Sequence, residues 1–316
     1  MKLRKSVQKF RVSYIYLTLI SFSQLSQLVV ILANKVSHGE MMDLLFYIVL
    51  LLIGGCFAGF MAGLLGIGGG IVITPIQYYL LTSMGCDAKT ALTVTFATGL
   101  AVICVTMVNS TRKHRQNNLI VKQHLKPMMI LGFAGAILGA IISQYIDVTV
   151  LKIIFGVICI VSTVFLVLIK SPTSLDNIKT DAMLFYSVAF ACGLASGLIG
   201  PAGGAFVIPI FVAYFKYPIT NTIGTTSALS ITTTFAGVLC YIILGLGVQG
   251  LPDFSLGYVN LLQFVFLTIT SIIVSGYAAN MSKKINPIKL KALQVIVISY
   301  IGLQMMGVFD LILGMI

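Results

Sequence analysis

The sequence predicts an all-α integral membrane protein made of two inverted-topology repeats of five helical segments each. Each repeat is broken once at a Gly-rich turn, and one extra helix stands in front. Three observations lead there: long tracts carry no charge, a glycine motif occurs twice at a fixed offset, and the basic loops follow opposite orders in the two halves.

Of the 316 residues, 58% are hydrophobic and only 9% charged, against roughly a quarter charged in a soluble domain. Residues 44–86, 127–146, 153–169, 182–215, 217–252, 254–282 and 292–309 contain no Asp, Glu, Lys or Arg. Each tract is long enough to cross a hydrocarbon core of roughly 30 Å. The short alternating strands of a membrane β-barrel are absent, so the bilayer is the expected solvent and helices the expected spans. The formal charge of +12 sits in the short gaps between apolar runs: Lys2, Arg4, Lys5, Lys9 and Arg11, then Arg112, Lys113 and Arg115, then Lys283, Lys284, Lys289 and Lys291. That is the distribution of loops held on the cytoplasmic side, not of a nucleic-acid surface. No nucleic-acid partner is expected.

The first forty residues form a basic segment and an extra helix over 12–33, read as an anchor because Ser and Gln interrupt its apolar run and no clean cleavage site follows. Repeat 1 occupies 44–169, with segments 44–66, 70–83, 91–111, 127–145 and 150–169. Repeat 2 occupies 182–316, with segments 182–200, 203–216, 222–245, 258–280 and 290–314.

The repeats announce themselves in "GLLGIGGGIVITP" (Gly63 to Pro75) and "GLIGPAGGAFVIP" (Gly197 to Pro209), identical at six of thirteen positions and 134 residues apart. The same offset carries Gly59 to Gly193, Gly66 to Gly200, Gly69 to Gly203 and Gly70 to Gly204. A Thr/Ser-rich tract follows each copy, in which a two-residue slip matches Thr93 to Thr225 and Thr95 to Ser227. Such self-similarity implies an internal duplication. Five segments is an odd number, so the second half must begin on the opposite face. In half one the loop after the third segment is basic and the next one carries only Asp147; in half two the loop 246–257 has only Asp253 and the following one carries four lysines. Placing the basic loops in the cytoplasm gives one thread, N-terminus inside and C-terminus outside. Lys152, near the outer end of its segment, is the mild exception. Inverted repeats of this kind place a transporter's substrate site at their interface near the bilayer midplane.

Segment 70–83 is roughly 21 Å long at ~1.5 Å per residue, too short to cross unaided. The expected shape is a helix that ends near the glycines, a turn, and a short helix that starts there. Pro75 and Pro209 add an irregularity to each short helix, since they lack a backbone donor. Broken backbone at membrane depth is tolerated where protein or a wet cavity meets it. It also aims unsatisfied amides and the positive helix end at whatever lies there, which favours an anion. The candidate binding residues are therefore Gly66, Gly68, Gly69, Gly70, Gly200, Gly203 and Gly204, with hydroxyls from Thr93, Thr95, Thr225, Thr226 and Ser227. Gly63, Pro75, Gly197 and Pro209 complete the structural motif. The competing reading is close helix packing for the glycines and bonds to their own helix for the hydroxyls. Gly55, Gly59, Gly132, Gly135 and Gly139 are assigned to packing.

The six cysteines have no C-x-x-C spacing and read as small apolar fillers. His38, His114 and His124 all fall in polar segments, so neither metal nor cofactor is expected. "GLASG" at Gly193–Gly197 has no histidine nearby for a protease dyad, and neither glycine run is followed by G-K-[ST]; no enzyme activity is expected.

The pairing of G-x-x-x-G-L-[LI]-G-x-[GA]-G-G-x-x-x-x-P in both halves resembles the sulfite exporter TauE/SafE family of bacterial membrane transporters, from about residue 44 to the end. The resemblance implies transport of small anions, typically sulfite, sulfoacetate or other sulfur-containing organic acids, usually outward across the cytoplasmic membrane. The family motif maps onto Gly63, Gly66, Gly68, Gly69, Gly70 and Pro75, then Gly197, Gly200, Gly203, Gly204 and Pro209. Pro201 and Ala202 depart from a fully glycine pattern, which implies a stiffer second turn. The expected partners are a small anionic substrate and the lipid bilayer, and a homo-oligomer is compatible with the reading. No Asp or Glu stands in the membrane segments before Asp310, whereas proton-coupled pumps normally need an intramembrane acid or histidine. The expected mechanism is alternating access or a gated channel driven by the membrane potential. A transporter of a cation or another metabolite, and a membrane assembly protein, are the alternatives.

Overall fold

The structure, a computed structural model, describes residues 40–65, 69–168, 181–282 and 284–308. By its contacts the chain divides into residues 1–50 and residues 51–316. Of the first unit, the described part is the opening stretch of helix α1 (Glu40–Leu65). The expected helix over 12–33 lies outside the described residues, as does Asp310.

The second unit continues α1 and adds α2 (Gly70–Ser83), α3 (Ala88–Gln116), α4 (Leu125–Ser143), α5 (Val148–Leu168), α6 (Ala182–Ile199), a 3-10 turn (Gly200–Ala202), α7 (Gly203–Ala213), α8 (Ile219–Gly245), α9 (Leu261–Ser282) and α10 (Pro287–Met305). Helices start where a polar side chain can cap them. Asp87 accepts from the amides of Lys89 and Thr90 before α3, and Asp181 from Leu184 before α6. Asn260 accepts from Gln263 before α9, and Asn286 from Ile288 before α10. These caps stand at the edges of the apolar runs, and each satisfies an amide the helix cannot.

Among the described residues eight helices are long and apolar enough to cross a membrane. The exceptions are α2, with 14 residues, and α7, with 11, roughly 21 and 16 Å at ~1.5 Å per residue. Lipid-facing stripes confirm the solvent. Val150, Ile153, Val157, Val161, Val164 and Leu168 are exposed along α5, and Leu261, Val265, Ile269, Ile273, Tyr277 and Met281 along α9. Spacings of three and four put each set on one helix face.

The helix α3 is the most buried span. It packs against α8 and α9, while α4 packs against α6 and α8, α5 against α10 and α7, and α2 against α10. Two seams are made of small residues. On α6, a side chain at Gly193 or Gly197 would meet the α4 backbone at Gly132, Ala136 and Ala140. On α1, one at Gly59 or Gly63 would meet the α9 backbone at Ser271 and Ser275. Ser271 Oγ donates to the Gly55 carbonyl at 2.7 Å. In lipid, helices hold together by such close contact and interhelical hydrogen bonding rather than by hydrophobic burial.

The helix ends differ from the sequence reading by up to four residues in most segments, and three departures have a visible cause. Helix α10 ends at Met305, short of the expected 314, where the chain turns through Gly307 (φ 74°). Helix α3 runs past the expected 91–111 because Lys113, His114 and Arg115 occupy its last turn, where basic side chains favour the helix end. The expected segment 258–280 begins later, at Leu261, because residues 255–260 form a small antiparallel hairpin pairing Ser255 with Asn260 and Leu256 with Val259.

Candidate substrate-binding site

The two glycine corners meet. Gly69 caps α2 in the left-handed conformation (φ 61°), with the Ala58 carbonyl where its side chain would be. Ala58 lies seven residues before the end of α1, so the chain doubles back by roughly 10 Å before α2 begins. Gly200 ends α6 with φ 63°, and a Cβ there would stand 2.7 Å from Phe96 Cβ. Both backbones are open to glycine and strained for other residues. Between them lies Pro201: its ring borders Gly70 on α2 and comes within 2.8 Å of a Cβ position on Gly99 of α3. Phe96, Gly99 and Ile103, the residues that meet the corners, fall in the middle of the 29-residue α3. Pro201, one of the two positions that depart from a fully glycine pattern, is a point of contact between the corners.

The corners are not copies. The 134-residue offset pairs Gly69 with Gly203, which opens α7 inside a helix, and Gly200 with Gly66. Gly66 and Gly68 lie outside the described residues. Gly70 opens α2 and is buried; Gly204 follows Gly203 in the first turn of α7. Pro75 and Pro209 lie inside α2 and α7. Ahead of the first, Thr74 Oγ donates to the Gly70 carbonyl at 2.8 Å.

The hydroxyl tract divides. Thr93 donates to the Lys89 carbonyl (2.8 Å), Thr225 to Asn221 (2.8 Å), Thr226 to Thr222 (2.8 Å) and Ser227 to Ile223 (2.7 Å), each back along its own helix. Thr225 Oγ also accepts from the Val121 amide at 3.1 Å. Thr95 differs: it is fully buried, and its Oγ has no partner among the described residues. It stands one helical turn before Gly99, on the same face of α3. Replacing Thr95 by valine, which keeps the shape and removes the hydroxyl, is expected to leave the empty protein as stable or more stable by up to about 1 kcal/mol. Thermal unfolding in detergent checks this; a marked loss of melting temperature would show that the hydroxyl is already bonded in the fold.

Sequence reasoning passed over a set of neutral polar residues that the fold buries and pairs between helices. Gln77 of α2 and Gln263 of α9 are both fully buried, and Gln77 Nε2 donates to Gln263 Oε1 at 2.7 Å. The Asn260 amide donates to Thr98 Oγ of α3 at 3.0 Å, so the hairpin and the start of α9 are tied to the middle of the bundle. On the other side, Tyr241 of α8 donates to the Gly197 carbonyl at 2.8 Å and pairs with Ser143 of α4 at 2.9 Å. The available signal was amides in charge-free tracts: Gln77 within 44–86 and Gln263 within 254–282. A survey of charges alone does not see them.

Electrostatically the site is neutral in side chains. Residues 51–65, 69–86, 90–111, 182–215 and 254–282 carry no Asp, Glu, Lys or Arg. Two helix N-termini, of α2 and α7, flank Pro201, and a helix start is a ready anion site. His114, in a polar segment of the sequence, is fully buried at the far end of α3. Among the described residues no His, Cys, Asp or Glu cluster could hold a metal.

The sequence model of the family described as Sulfite exporter TauE/SafE matches residues 50–305. The chain belongs to the TauE/SafE family. A probable membrane transporter protein of Haemophilus influenzae is 29% identical over 78% of this chain and 92% of its own length. One of Methanocaldococcus jannaschii is 25% identical over 85% of this chain and 97% of its own. The probable membrane transporter protein YfcA of Escherichia coli is 26% identical over 65% and 76%. No solved structure matches. The TauE/SafE match covers both glycine corners, the α8–α9 hairpin and the glutamine pair, so the whole candidate site lies inside the family's shared region. This is a multi-pass membrane protein of a transporter family.

Proposed function

We propose that this protein moves small anions, foremost sulfite or sulfur-containing organic acids, outward across the cytoplasmic membrane, with its N-terminus in the cytoplasm. The observation that carries the reading is the meeting of two glycine corners, each followed by a short helix, with Pro201 of the second corner against Gly70 at the start of α2 and against Gly99 of α3. The proposed binding residues are Gly66, Gly68, Gly69, Gly70, Gly200, Gly203 and Gly204, with Thr95 as the hydroxyl free to turn toward a ligand. Thr93 is bonded back along α3, and Thr225, Thr226 and Ser227 of the sequence-derived set lie away from Thr95, beside residues 119–121 past the far end of α3.

The inverted-repeat reading draws support from the packing. Pairing α1 to α5 with α6 to α10 turns each contact into its partner: α4 on α6 into α9 on α1, α4 on α8 into α9 on α3, and α5 on α7 into α10 on α2, with α3 on α8 and α5 on α10 mapping to themselves. Exchange of the halves between two arrangements then exposes the midplane site to one side or the other.

Among the described residues, 51–65, 69–86, 90–111 and 182–215, which form the corners and the helices around them, contain no carboxylate to carry a proton. An anion leaving a negative-inside cell falls by ~2.3 kcal/mol per charge per 100 mV, so the potential and the substrate gradient drive export. In proteoliposomes the expected result is a sulfite-dependent current that follows the imposed potential and persists without a pH gradient. Strict dependence on the pH gradient would contradict this mechanism, and absence of any anion flux would contradict the assignment. A cation transporter, the other reading, has one observation in its favour, since α6 ends at the same corner and presents carbonyls there. It predicts cation currents that are indifferent to sulfite.

A further inference from the structure

Gln77 is wholly buried on α2, and with its Nε2 engaged by Gln263 its own Oε1 has no partner among the described residues. That oxygen lies 3.7 Å from the point where a Cβ on Gly99 would stand, and the Pro201 ring borders the same point at 2.8 Å. The Thr95 hydroxyl, one turn away on α3, is likewise buried and unpartnered. Two orphaned oxygens beside the meeting corners are what an unfilled ligand site leaves behind, because buried polar atoms otherwise find partners.

We infer that the site takes its anion singly charged and bearing a hydrogen-bond donor, and that Gln77 Oε1 accepts that bond. This rests on the anion reading above and narrows its substrate class. The charge argument comes from the helix ends. Each N-terminus is equivalent to roughly half a positive elementary charge, so α2 and α7 together match one negative charge. With no Lys or Arg in the flanking stretches, a second negative charge would be dehydrated without compensation, and the loss of hydration rises steeply with charge. The donor argument comes from Gln77. Its amide nitrogen already serves Gln263, so what it offers is an acceptor. An anion with acceptors only would meet that oxygen lone pair to lone pair, whereas a hydroxyl or a retained proton satisfies it. Thr95 Oγ, free to rotate, donates to the anion's remaining oxygens. Gln77 is thus a specificity-determining residue, and sulfite crosses as its hydrogen-bearing monoanion.

Around Gln77, residues 91–103 of α3, the turn 200–202 and residues 261–271 of α9 hold no ionisable side chain. Helix α2 itself carries Tyr78 and Tyr79, Lys152 of α5 donates to the Tyr78 hydroxyl at 2.7 Å, and α10, also packed on α2, carries Lys289, Lys291 and Tyr300. The proton that matters therefore belongs to the substrate.

The test is flux in proteoliposomes with three probes at one pH: isethionate and ethanesulfonate, monoanions differing by one hydroxyl, and sulfate, a dianion. The wild-type protein is expected to carry isethionate about tenfold faster than ethanesulfonate at limiting concentration, one buried hydrogen bond's worth of discrimination, and sulfate least. Sulfite flux should fall as pH rises through the loss of its last proton. In Gln77→Leu the isethionate preference should collapse toward one and the pH dependence should flatten; a titration of Lys152, Tyr78, Lys289, Lys291 or Tyr300 would survive that change. Equal flux of the two sulfonates, or preference for sulfate, in the wild-type protein overturns this inference and leaves anion transport standing. Carriage of none of the probes and no sulfite overturns both.

Discussion

Gly69→Val, alone or with Gly203→Val, is expected to abolish flux and to lower the melting temperature more than other single changes at the corners. At φ 61° a β-branched residue is strained by roughly 1–2 kcal/mol. The larger penalty is steric, because the new Cβ would overlap the Ala58 carbonyl. That carbonyl belongs to the α1 backbone, so nothing flexible can give way, and the start of α2 must move off its place beside Pro201. The damage then falls on the amide end proposed to face the substrate. Gly85→Ala is the control. Gly85 also has a positive φ (83°), but a Cβ there meets open space, so it carries only the backbone strain of about 1 kcal/mol and should retain wild-type flux. Retained flux in the Gly69→Val, Gly203→Val double variant would refute the corner site.

Gly197→Leu is the second large effect, expected to destabilise by about 3 kcal/mol through overpacking. Its Cβ would run into the Ala136 carbonyl and come within 2.7 Å of the Ala140 amide, on the face where α6 and α4 touch backbone to backbone. The same change threatens the Tyr241 bond to the Gly197 carbonyl, because separating α6 from α4 pulls that carbonyl away from a tyrosine also held by Ser143. Gly63→Leu, against Ser275 and Ala279 of α9, should cost a similar amount if the two seams are equivalent. Thermal unfolding of both variants in one detergent measures this. An unchanged melting temperature for Gly197→Leu would contradict the seam, and a large loss for only one of the two would weaken the equivalence of the halves.

What the sequence disclosed follows from which signals survive without a partner. Helix α2 begins and ends where expected, at 70 and 83, because Gly69 and the absence of charge act locally. The membrane spans were legible for the same reason: charge is excluded from lipid whatever the tertiary fold. The hairpin at 255–260 was not, since "SLGYVN" is uncharged and runs straight into the helix after it, and is set apart only by pairing and by the bond from Asn260 to Thr98. The length of α3 was underestimated because Arg112 to Arg115 read as loop, although a helix can project past the lipid and end on basic residues. Among the hydroxyls, sequence spacing could not separate Thr95 from Thr93, for the difference lies in which one finds a carbonyl on its own helix. Pro201 was read as a stiffener of one turn. Its contact with Gly70 and Gly99 depends on two distant segments meeting, which no local pattern encodes.

The most direct measurement is an experimental structure with selenite, a heavy analogue of sulfite, located by its anomalous scattering. The account predicts one strong peak between the first turns of α2 and α7, beside Pro201 and within hydrogen-bond reach of Gln77 or Thr95, at the middle of α3. A peak at a membrane surface, or glycine corners that lie apart at the two faces, would contradict it.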